Sequence, residues 1–343
     1  MTGRTIVVDR DIPFIAGVFE PWFKVRYLAG RAIVARDVRD AVALVVRTRT
    51  RCDAQLLAGS SVKLVATATI GTDHIDMAYC AAQGIAVVSA PGCNAAAVAQ
   101  YVLAALCALS LDRPGATLGI VGVGHVGSLV ADAAARAGLR MLLNDPPREA
   151  VEGPAAFTPL PELLAVSDIV TLHIPLWPEN RDFADAAFFA AMKSGASFIN
   201  ASRGEVVDEA ALLRARPKLG AVVIDTWCNE PDVNQNLMDV CDVATPHIAG
   251  YSYQGKQMGT AMAVRSVARH FGIDALESYF PETESEDLEP IHLAVAGKSQ
   301  GEITALIQYN YPIFTDDFFF RSDPLSFERL RSEYRYRREF YID

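Results

Sequence analysis

Short apolar runs alternate with longer stretches of helical periodicity along most of the chain. In the first hundred residues, the apolar runs predict strands at Thr5–Val8, Ala41–Val46, Val62–Ala68 and Ile85–Val88. Thr72 and Asp73 have side chains that suit an N-terminal cap, and they predict a helix that runs from there toward Gln83. The next predicted helix, Ala95–Leu109, is long and strongly apolar. Alternation of this kind is typical of parallel sheets covered by helices.

A second region continues the same alternation from Gly115 to Ala249. Its predicted strands are Leu118–Val121, Leu139–Asn144, Ile169–His173, Ala196–Asn200, Ala221–Asp225 and Val243–Thr245. A predicted helix from Gln254 to Phe271 would return the chain to the first region. The sequence therefore predicts two α/β domains, of which the second is inserted into the first.

The chain changes character after Tyr279. An acidic stretch, Pro281–Pro290, predicts a linker, and the segment beyond it carries Phe318–Phe320 and a basic run from Phe327 to Glu339. This segment is short for an independent core, and exposing so many aromatic side chains is unfavourable. We therefore expect it to pack against another subunit in a homodimer, with most arginines of the basic run on a solvated helix face.

The strongest local signal is a glycine-rich turn between the predicted strand Thr117–Val121 and the predicted helix Val126–Ala137. The turn consists of Gly122, Val123, Gly124, His125, Val126 and Gly127, which gives the spacing G-x-G-x-x-G. Glycines at this spacing allow a tight turn, close approach of the backbone to a pyrophosphate, and close packing of helix on strand. Free N–H groups at the helix N-terminus attract phosphate. The turn is therefore predicted to bind a dinucleotide through its backbone.

An acidic residue follows at the position that contacts the ribose of such cofactors. The predicted strand Leu139–Asn144 ends at Asp145. Its carboxylate can accept hydrogen bonds from the ribose hydroxyls and would repel a 2′-phosphate. The expected cofactor is therefore NAD rather than NADP.

Composition narrows the class of protein. The formal net charge of −10 argues against a nucleic-acid partner. The six cysteines are scattered without a C-x-x-C pair, and the histidines add no metal-ligand spacing, so we expect free thiols in a reducing compartment and no metal. No signal peptide and no apolar stretch of membrane-spanning length is evident, which predicts a cytoplasmic protein without a membrane partner.

Three functional groups follow consecutive predicted strands of the second region. Arg203 follows Ala196–Asn200, Glu230 follows Ala221–Asp225, and His247 follows Val243–Thr245. Ligands of open α/β sheets bind outside these carboxyl ends. An arginine can hold a carboxylate by a two-pronged hydrogen bond, a histidine can accept a hydroxyl proton, and an acid can orient the imidazole. The trio suits oxidation of a 2-hydroxy acid.

Taken together, these motifs resemble the D-isomer-specific 2-hydroxyacid dehydrogenases over about residues 1–280. A closer resemblance, to the branch acting on a 4-phosphorylated 2-hydroxy acid, is carried by Val46–Thr48, Ala66–His74, Ala90–Ala95, Asn144–Arg148, His247–Tyr251 and the tail around Leu330–Tyr334. The resemblance implies two doubly wound parallel-sheet domains, a Rossmann cofactor domain inserted in a flavodoxin-like substrate domain, plus a small C-terminal α+β dimerisation segment. The implied bounds are 1–95 and 265–282 for the substrate domain, 96–264 for the NAD-binding domain, and 290–343 for the dimerisation segment.

The resemblance also implies site residues. Arg203, Glu230 and His247 would be catalytic, with His247 the acid–base group. The residues implied to line NAD are Gly122, Gly124, His125, Val126, Gly127, Asp145, Ala201, Ser202, Arg203, Asp225 and Gly250. Thr48, Thr67 and Tyr251 would contact the substrate.

Two alternatives stay open at this point. The first is a dehydrogenase for another D-2-hydroxy acid, such as 3-phosphoglycerate or glycerate, because the predicted substrate residues do not decide between them. The second is an NAD(H)-sensing interaction protein. The presence of the full trio of Arg203, Glu230 and His247 argues against the second alternative.

Overall fold

A computed structural model describes residues 3–283 and 285–343 of the chain. The strands are β1 (Thr5–Asp9), β2 (Lys24–Leu28), β3 (Ala41–Val46), β4 (Leu64–Thr67), β5 (Ala86–Val88), β6 (Thr117–Val121), β7 (Arg140–Asn144), β8 (Ile169–Leu172), β9 (Ser197–Asn200), β10 (Val222–Ile224), β11 (Val243–Ala244), β12 (Ile291–Leu293) and β13 (Phe340–Ile342).

The helices alternate with these strands over most of the chain. They are α1 (Ala35–Val38), α2 (Ala54–Leu57), α3 (Met77–Ala82), α4 (Ala95–Ala108), α5 (His125–Arg136), α6 (Pro146–Glu152), α7 (Leu160–Val166), α8 (Ala186–Ala191), α9 (Glu209–Ala215), α10 (Gln235–Val240), α11 (Tyr253–Phe271), α12 (Gln300–Asn310), α13 (Ile313–Ser322) and α14 (Phe327–Ser332). Among the described residues, we find no helix with the length and apolar character needed to cross a membrane.

The chain forms two compact units. The first contains the described residues of Met1–Asn94 and Tyr253–Glu289, and the second contains Ala95–Ser252 and Pro290–Asp343. The first unit is thus discontinuous in sequence. The assignment of 1–95 and 265–282, 96–264, and 290–343 to separate functions stays a prediction.

The first unit is built on a five-stranded parallel sheet with the order β2-β1-β3-β4-β5. Successive residues of β1 face opposite apolar clusters: Ile6 and Val8 pack in the cluster that includes Val264 of α11, and Val7 packs in the other. Burial on both faces is what a parallel sheet covered by helices requires. The strand order is the flavodoxin-like one, which confirms the predicted fold of this region.

One strand of this unit was missed, and the start of one helix was predicted wrongly. Strand β2 was not predicted, because it lies at the sheet edge and has no fully buried residue. The helix expected to begin at Thr72 and Asp73 begins at Met77 instead, and Asp76 caps it by accepting a hydrogen bond from the Tyr79 N–H. The residues before it form a turn instead, in which the Ile75 N–H donates to the Thr72 carbonyl at 2.8 Å, and the Cys52 N–H donates to the carbonyl of His74.

The second unit contains a six-stranded parallel sheet with the order β11-β10-β9-β8-β6-β7. The chain leaves β6 toward β7 and then crosses to β8 on the other side, so the winding reverses between β6 and β8. Neighbouring residues of β6 again face opposite clusters, with Ile120 in one and Val121 in the other. The prediction of two doubly wound parallel-sheet regions is confirmed.

The C-terminal segment of the second unit is the predicted small α+β element. Its strands β12 and β13 pair in parallel, with α12, α13 and α14 between them in sequence. Phe320 and Phe327 pack in the apolar cluster that includes Trp227, and Gln100 of α4 donates to the Phe340 carbonyl at 2.7 Å. The segment therefore shares the core of its own unit.

Candidate active site

Each of the six strands of the second sheet is followed, at its carboxyl end, by a residue of interest for binding or catalysis. These residues are Gly122 after β6, Asp145 after β7, His173 after β8, Arg203 after β9, Asp225 after β10 and His247 after β11. Because the strands are parallel, the residues share one edge of the sheet. This edge, with its switch point between β6 and β8, is where open α/β sheets bind ligands.

The glycine turn has the three geometries that a dinucleotide needs. Gly122 has a φ of 87°, and a Cβ there would lie 2.6 Å from the carbonyl oxygen of His173. A Cβ at Gly127 would collide with the carbonyl oxygen of Gly122, so this glycine lets α5 pack closely on the turn. A Cβ at Gly124 would meet no protein atom within 4 Å. The space beside Gly124 is therefore open to a pyrophosphate group.

Asp145 is held beside this turn by backbone donors. Its Oδ2 accepts from the Val123 N–H at 2.7 Å, and its Oδ1 accepts from the Arg148 N–H at 3.0 Å as the N-cap of α6. An ionised carboxylate has about four acceptor sites, so positions remain for two ribose hydroxyls. The turn and this acid together fit an NAD molecule.

Glu230 and His247 form a hydrogen-bonded pair. Nδ1 of His247 lies 2.8 Å from Oε2 and 3.0 Å from Oε1 of Glu230, and Oε1 also accepts from the Trp227 N–H at 3.0 Å. Burial of Glu230 opposes its ionisation, but His247, the charge of Arg331 and the Trp227 N–H together hold the pKa of Glu230 below its usual value. Engagement of Nδ1 leaves Nε2 as the ring nitrogen for a reacting group.

Asp225 fixes the backbone that carries His247. Its carboxylate accepts from the N–H groups of Ile248 and Ala249 at 2.8 and 3.0 Å, and from the Thr245 hydroxyl at 2.7 Å. Burial raises the pKa of Asp225, and the charge of His247 acts in the opposite direction. His247 has a φ of 56°. Such a conformation is costly for a residue with a side chain and is found mainly where the surroundings enforce it, often at functional sites.

The turn that carries Arg203 is organised by the last residue of β9. The Asn200 side chain accepts from the N–H and hydroxyl of Ser202 at 3.1 and 2.8 Å, and it donates to the Arg203 carbonyl at 2.9 Å. Gly204 follows, and a Cβ there would collide with the backbone of Trp227. The turn from Ala201 to Arg203 is thus held against the segment that begins the Glu230 loop.

Two predicted substrate residues lie in the first unit, at the ends of neighbouring strands. Thr48 is exposed just after β3, and Thr67 is the buried last residue of β4, with its hydroxyl 2.7 Å from that of Thr69. Arg47, which directly precedes Thr48, is paired with Asp9 at 2.9 Å and Asp11 at 3.2 Å. Its charge is already compensated by two carboxylates.

Comparison with known proteins identifies the family. The family model for the NAD-binding domain of D-isomer-specific 2-hydroxyacid dehydrogenases matches residues 107–249. An erythronate-4-phosphate dehydrogenase from Bacteroides fragilis is 42% identical, and the alignment covers 97% of each chain. Another from Yersinia pestis is 39% identical, with 98% of this chain and 92% of the relative covered. The chain belongs to the D-isomer-specific 2-hydroxyacid dehydrogenase family.

A solved structure supports the same assignment. The D-lactate dehydrogenase from Aquifex aeolicus, in complex with NAD and lactic acid, superposes with a TM-score of 0.69 at 25% identity. The superposition covers 82% of this chain and 100% of that one. The predicted family and its NAD-binding Rossmann region are therefore confirmed.

One charged residue of this dehydrogenase was missed in the sequence. Arg331 of α14 lies 3.9 Å from Oε2 of Glu230 and 5.8 Å from the ring centroid of Tyr251, and its side chain is only 13% exposed. Tyr334 and Tyr336 also pack edge-on against Tyr251. The expectation that most tail arginines are solvated is wrong for Arg331 and for the buried Arg337. An arginine-rich helix gives no local signal of such burial, since the partners come from distant loops.

Proposed function

We propose that this dehydrogenase oxidises 4-phospho-D-erythronate to (R)-3-hydroxy-2-oxo-4-phosphooxybutanoate with NAD, a step in pyridoxal phosphate (vitamin B6) biosynthesis. The single observation that carries the chemistry is the hydrogen-bonded pair of Glu230 and His247, on loops that follow neighbouring strands. The substrate class is supported by the names of relatives that align over nearly the whole chain.

His247 is the proposed acid–base group. Its Nε2 takes the proton of the C2 hydroxyl as the C–H bond at C2 breaks, and the hydroxyl oxygen becomes the carbonyl of the 2-oxo acid. NAD, when bound, accepts the hydride from C2. Glu230 stabilises the imidazolium that forms, through the bond to Nδ1. In this scheme His247 receives the proton, NAD receives the electron pair as hydride, and Glu230 stabilises the charge left on His247.

Arg203 is proposed to bind the substrate carboxylate. A guanidinium presents two parallel N–H donors to a carboxylate and can also polarise the adjacent C2 oxygen. Its turn is fixed by Asn200. Fixing the turn limits the orientations that the guanidinium can take and favours a defined position of the bound acid.

The cofactor residues form a second part of the proposal. The turn between β6 and α5 would hold the pyrophosphate, and Asp145 would bind the adenosine ribose. The full proposed set is Gly122, Gly124, His125, Val126, Gly127, Asp145, Ala201, Ser202, Arg203, Asp225 and Gly250. Asp225 already uses both carboxylate oxygens within the protein, so its contribution would come through the loop that it fixes.

Thr48, Thr67 and Tyr251 are the proposed substrate residues. Hydroxyl groups and backbone N–H groups can bind a phosphate without a compensating cation, although charge-assisted bonds are stronger. Thr48 is exposed and available, whereas the hydroxyl of Thr67 is shared with Thr69.

A substrate panel tests the proposal. The purified protein would be given NAD with 4-phospho-D-erythronate, D-erythronate, 3-phosphoglycerate or glycerate, and NADH would be read at 340 nm. We expect the 4-phosphorylated acid to have a kcat/KM at least about tenfold above D-erythronate and glycerate, because a phosphate contact adds charge-assisted hydrogen bonds. It should also exceed that of 3-phosphoglycerate, whose phosphate lies one carbon nearer the carboxylate. Preference for 3-phosphoglycerate or glycerate would replace the proposed substrate. Tight NADH binding without turnover of any acid would instead favour the NAD(H)-sensing alternative.

The homodimer is proposed from the surface of α13. Phe318 and Phe319 are 65% and 55% exposed, and Phe314 lies one turn earlier on the same surface. Adjacent exposed aromatic side chains mark an interaction surface more often than a solvated one. Sedimentation of the wild type and of a Phe318→Ser, Phe319→Ser variant tests this proposal. A monomeric wild type at micromolar concentration would contradict it.

A cytoplasmic location is part of the same proposal. All six cysteines are free thiols, and four of them are buried. Free buried thiols suit a reducing compartment.

A further inference from the structure

The loop that follows β11 is covered by the C-terminal segment of the same unit. Arg337 donates hydrogen bonds to the carbonyls of Ile248, Ala249 and Tyr251, and the Ser252 hydroxyl donates to Glu339 at 2.7 Å. The backbone beside His247 is therefore held by residues far along the chain. Helix α14, which precedes these residues in the same segment, lies next to the acid–base pair through Arg331.

Arg331 is the charge that this arrangement brings to Glu230. Its guanidinium lies 3.9 Å from Glu230 Oε2, while Nδ1 of His247 lies 2.8 Å from the same oxygen. The Arg331 side chain also packs on the Phe327 ring, with 5.4 Å to the ring centroid. Two cations, one permanent and one that requires a proton, therefore face a single carboxylate.

The groups that face this carboxylate and its partners come from several elements. The ionisable ones are Asp225 after β10, Glu230 in the following loop, His247 and Tyr251 after β11, and Glu328 and Arg331 of α14. Glu230 and Asp225 favour a protonated His247, and Arg331 opposes it in two ways. The guanidinium of Arg331 repels the imidazolium directly, and it also compensates part of the negative charge of Glu230. Glu328 moderates the charge of Arg331 from the same helix.

We propose that Arg331 is a positioning residue that limits the protonation of His247, and so keeps its imidazole available as a base near neutral pH. Without Arg331, Glu230 would pair with His247 alone and would stabilise the protonated imidazole more strongly. The guanidinium is suited to this use because it stays charged throughout the working pH range. The inference rests on the proposed function, in which His247 must be neutral to accept the hydroxyl proton.

The test compares three substitutions in the full-length protein. Arg331→Gln removes the charge, Arg331→Lys keeps it, and Arg329→Gln is the matched control on the same helix. Arg329 pairs with Asp323 at 3.0 Å and Glu333 at 3.4 Å, and it is largely exposed. The pH profile of kcat/KM for hydroxy-acid oxidation is the first readout.

The expected result has a defined sign. In Arg331→Gln the acidic limb of the profile moves to higher pH by about one unit, a shift of the size produced by one neighbouring charge. Activity therefore falls several-fold near pH 7 and returns toward wild type near pH 9. Arg331→Lys should move the limb by less than half as much, and Arg329→Gln should leave it unchanged. A variant damaged only in its fold would lose activity at every pH.

A second readout does not depend on turnover. The imidazole C–H resonances of His247 would be followed by NMR across the same pH range, with a His247→Asn variant used for assignment. If the protein does not oxidise 4-phospho-D-erythronate, the proposed function fails, but the NMR titration still decides the effect of Arg331.

Two outcomes would overturn the inference. One is an unchanged His247 titration in Arg331→Gln, with its near-UV circular dichroism like that of wild type. If that variant is not folded, the same measurement on Arg331→Met, which keeps more of the apolar packing, replaces it. The other is a higher KM for the hydroxy acid with the pH profile unchanged, which would make Arg331 a direct ligand of the substrate.

Discussion

Oε2 of Glu230 lies 2.8 Å from Nδ1 of His247. The same carboxylate is held by the Trp227 N–H, so its orientation does not depend on the imidazole alone. A fixed acceptor at Nδ1 selects the tautomer and the ring orientation in which Nε2 faces a reacting group. The pair therefore combines two functions: it sets the geometry of the base and stabilises its protonated form.

The first prediction concerns Glu230→Gln. The amide cannot stabilise an imidazolium by charge, so the acidic limb of the kcat/KM profile should move to lower pH by about one unit. The plateau rate should fall at least about tenfold, because the amide stabilises the forming imidazolium less. Glu179→Gln, a change at an exposed glutamate, is the control. A limb that stays in place would remove Glu230 from the proton transfer.

The second prediction concerns Arg203→Lys. Lysine keeps the charge but loses the planar pair of donors, so kcat/KM should fall by about ten- to a hundredfold, equivalent to one charge-assisted hydrogen bond. The matched control is Arg214→Lys, since Arg214 is exposed and its ion pair with Asp208 is long at 3.9 Å. Wild-type kinetics from Arg203→Lys would show that a two-pronged contact is not used.

The sequence predicted the regular elements better than the long-range contacts. Periodicity and glycine spacing identified β6, α5 and Asp145, because each depends on residues close together in the chain. The edge strand β2 was not predicted, because its residues are partly exposed and the sequence therefore lacks the apolar run on which strand prediction rests. The burial of Arg331 was not predicted for a different reason. Its burial is produced by Tyr251, Glu230 and Phe327, and only the folded unit brings the first two beside α14.

The third prediction concerns Asp145→Ser and the choice of cofactor. Serine can still cap α6, but it no longer repels a 2′-phosphate. The guanidinium of the nearby Arg148 donates to the Val123 carbonyl at 2.6 Å and pairs with Glu152 at 2.6 Å, so a 2′-phosphate would compete with Glu152 for this charge. We expect kcat/KM for NAD to fall by about tenfold or more and the ratio of NADP to NAD use to rise. Asp132→Ser, on the exposed side of α5, should change neither value.

The fourth prediction concerns stability in acid. Burial lowers the pKa of His173 from 6.5 to about 3, and its Nε2 lies 3.0 Å from the Thr171 hydroxyl. Below pH 6.5 the unfolded chain binds a proton that the folded chain does not, so this residue reduces stability as pH falls from 6.5 toward 3. The contribution amounts to roughly 1.4 kcal/mol at pH 5.5.

His173→Gln removes this titration. Between pH 7.5 and 5.5, the free energy of unfolding should therefore decrease less in the variant than in wild type, measured by urea denaturation at both pH values. The comparison uses the change with pH, so a constant loss of stability in the variant does not affect it. His270→Gln, at an exposed histidine, should show the wild-type dependence. Equal pH dependence in His173→Gln would mean that His173 is protonated in the folded protein.

The fifth prediction separates the ligand side of the glycine turn from its packing side. A Cβ at Gly124 meets no protein atom within 4 Å, and the φ of this residue is −77°, which any residue adopts. Gly124→Ala should therefore keep the wild-type Tm. The methyl group would stand where the pyrophosphate must approach, so the Kd for NADH, followed by fluorescence, should rise at least about tenfold.

Two further alanine substitutions calibrate that result. A Cβ at Gly127 would collide with the Gly122 carbonyl oxygen, so Gly127→Ala should lower the Tm together with NADH affinity. Gly301→Ala in α12 has open space around it and should leave affinity unchanged while slightly raising stability, because alanine favours a helix over glycine. Should Gly124→Ala bind NADH as tightly as wild type, the cofactor cannot pass close to this backbone, and the geometry inferred for the turn would be wrong.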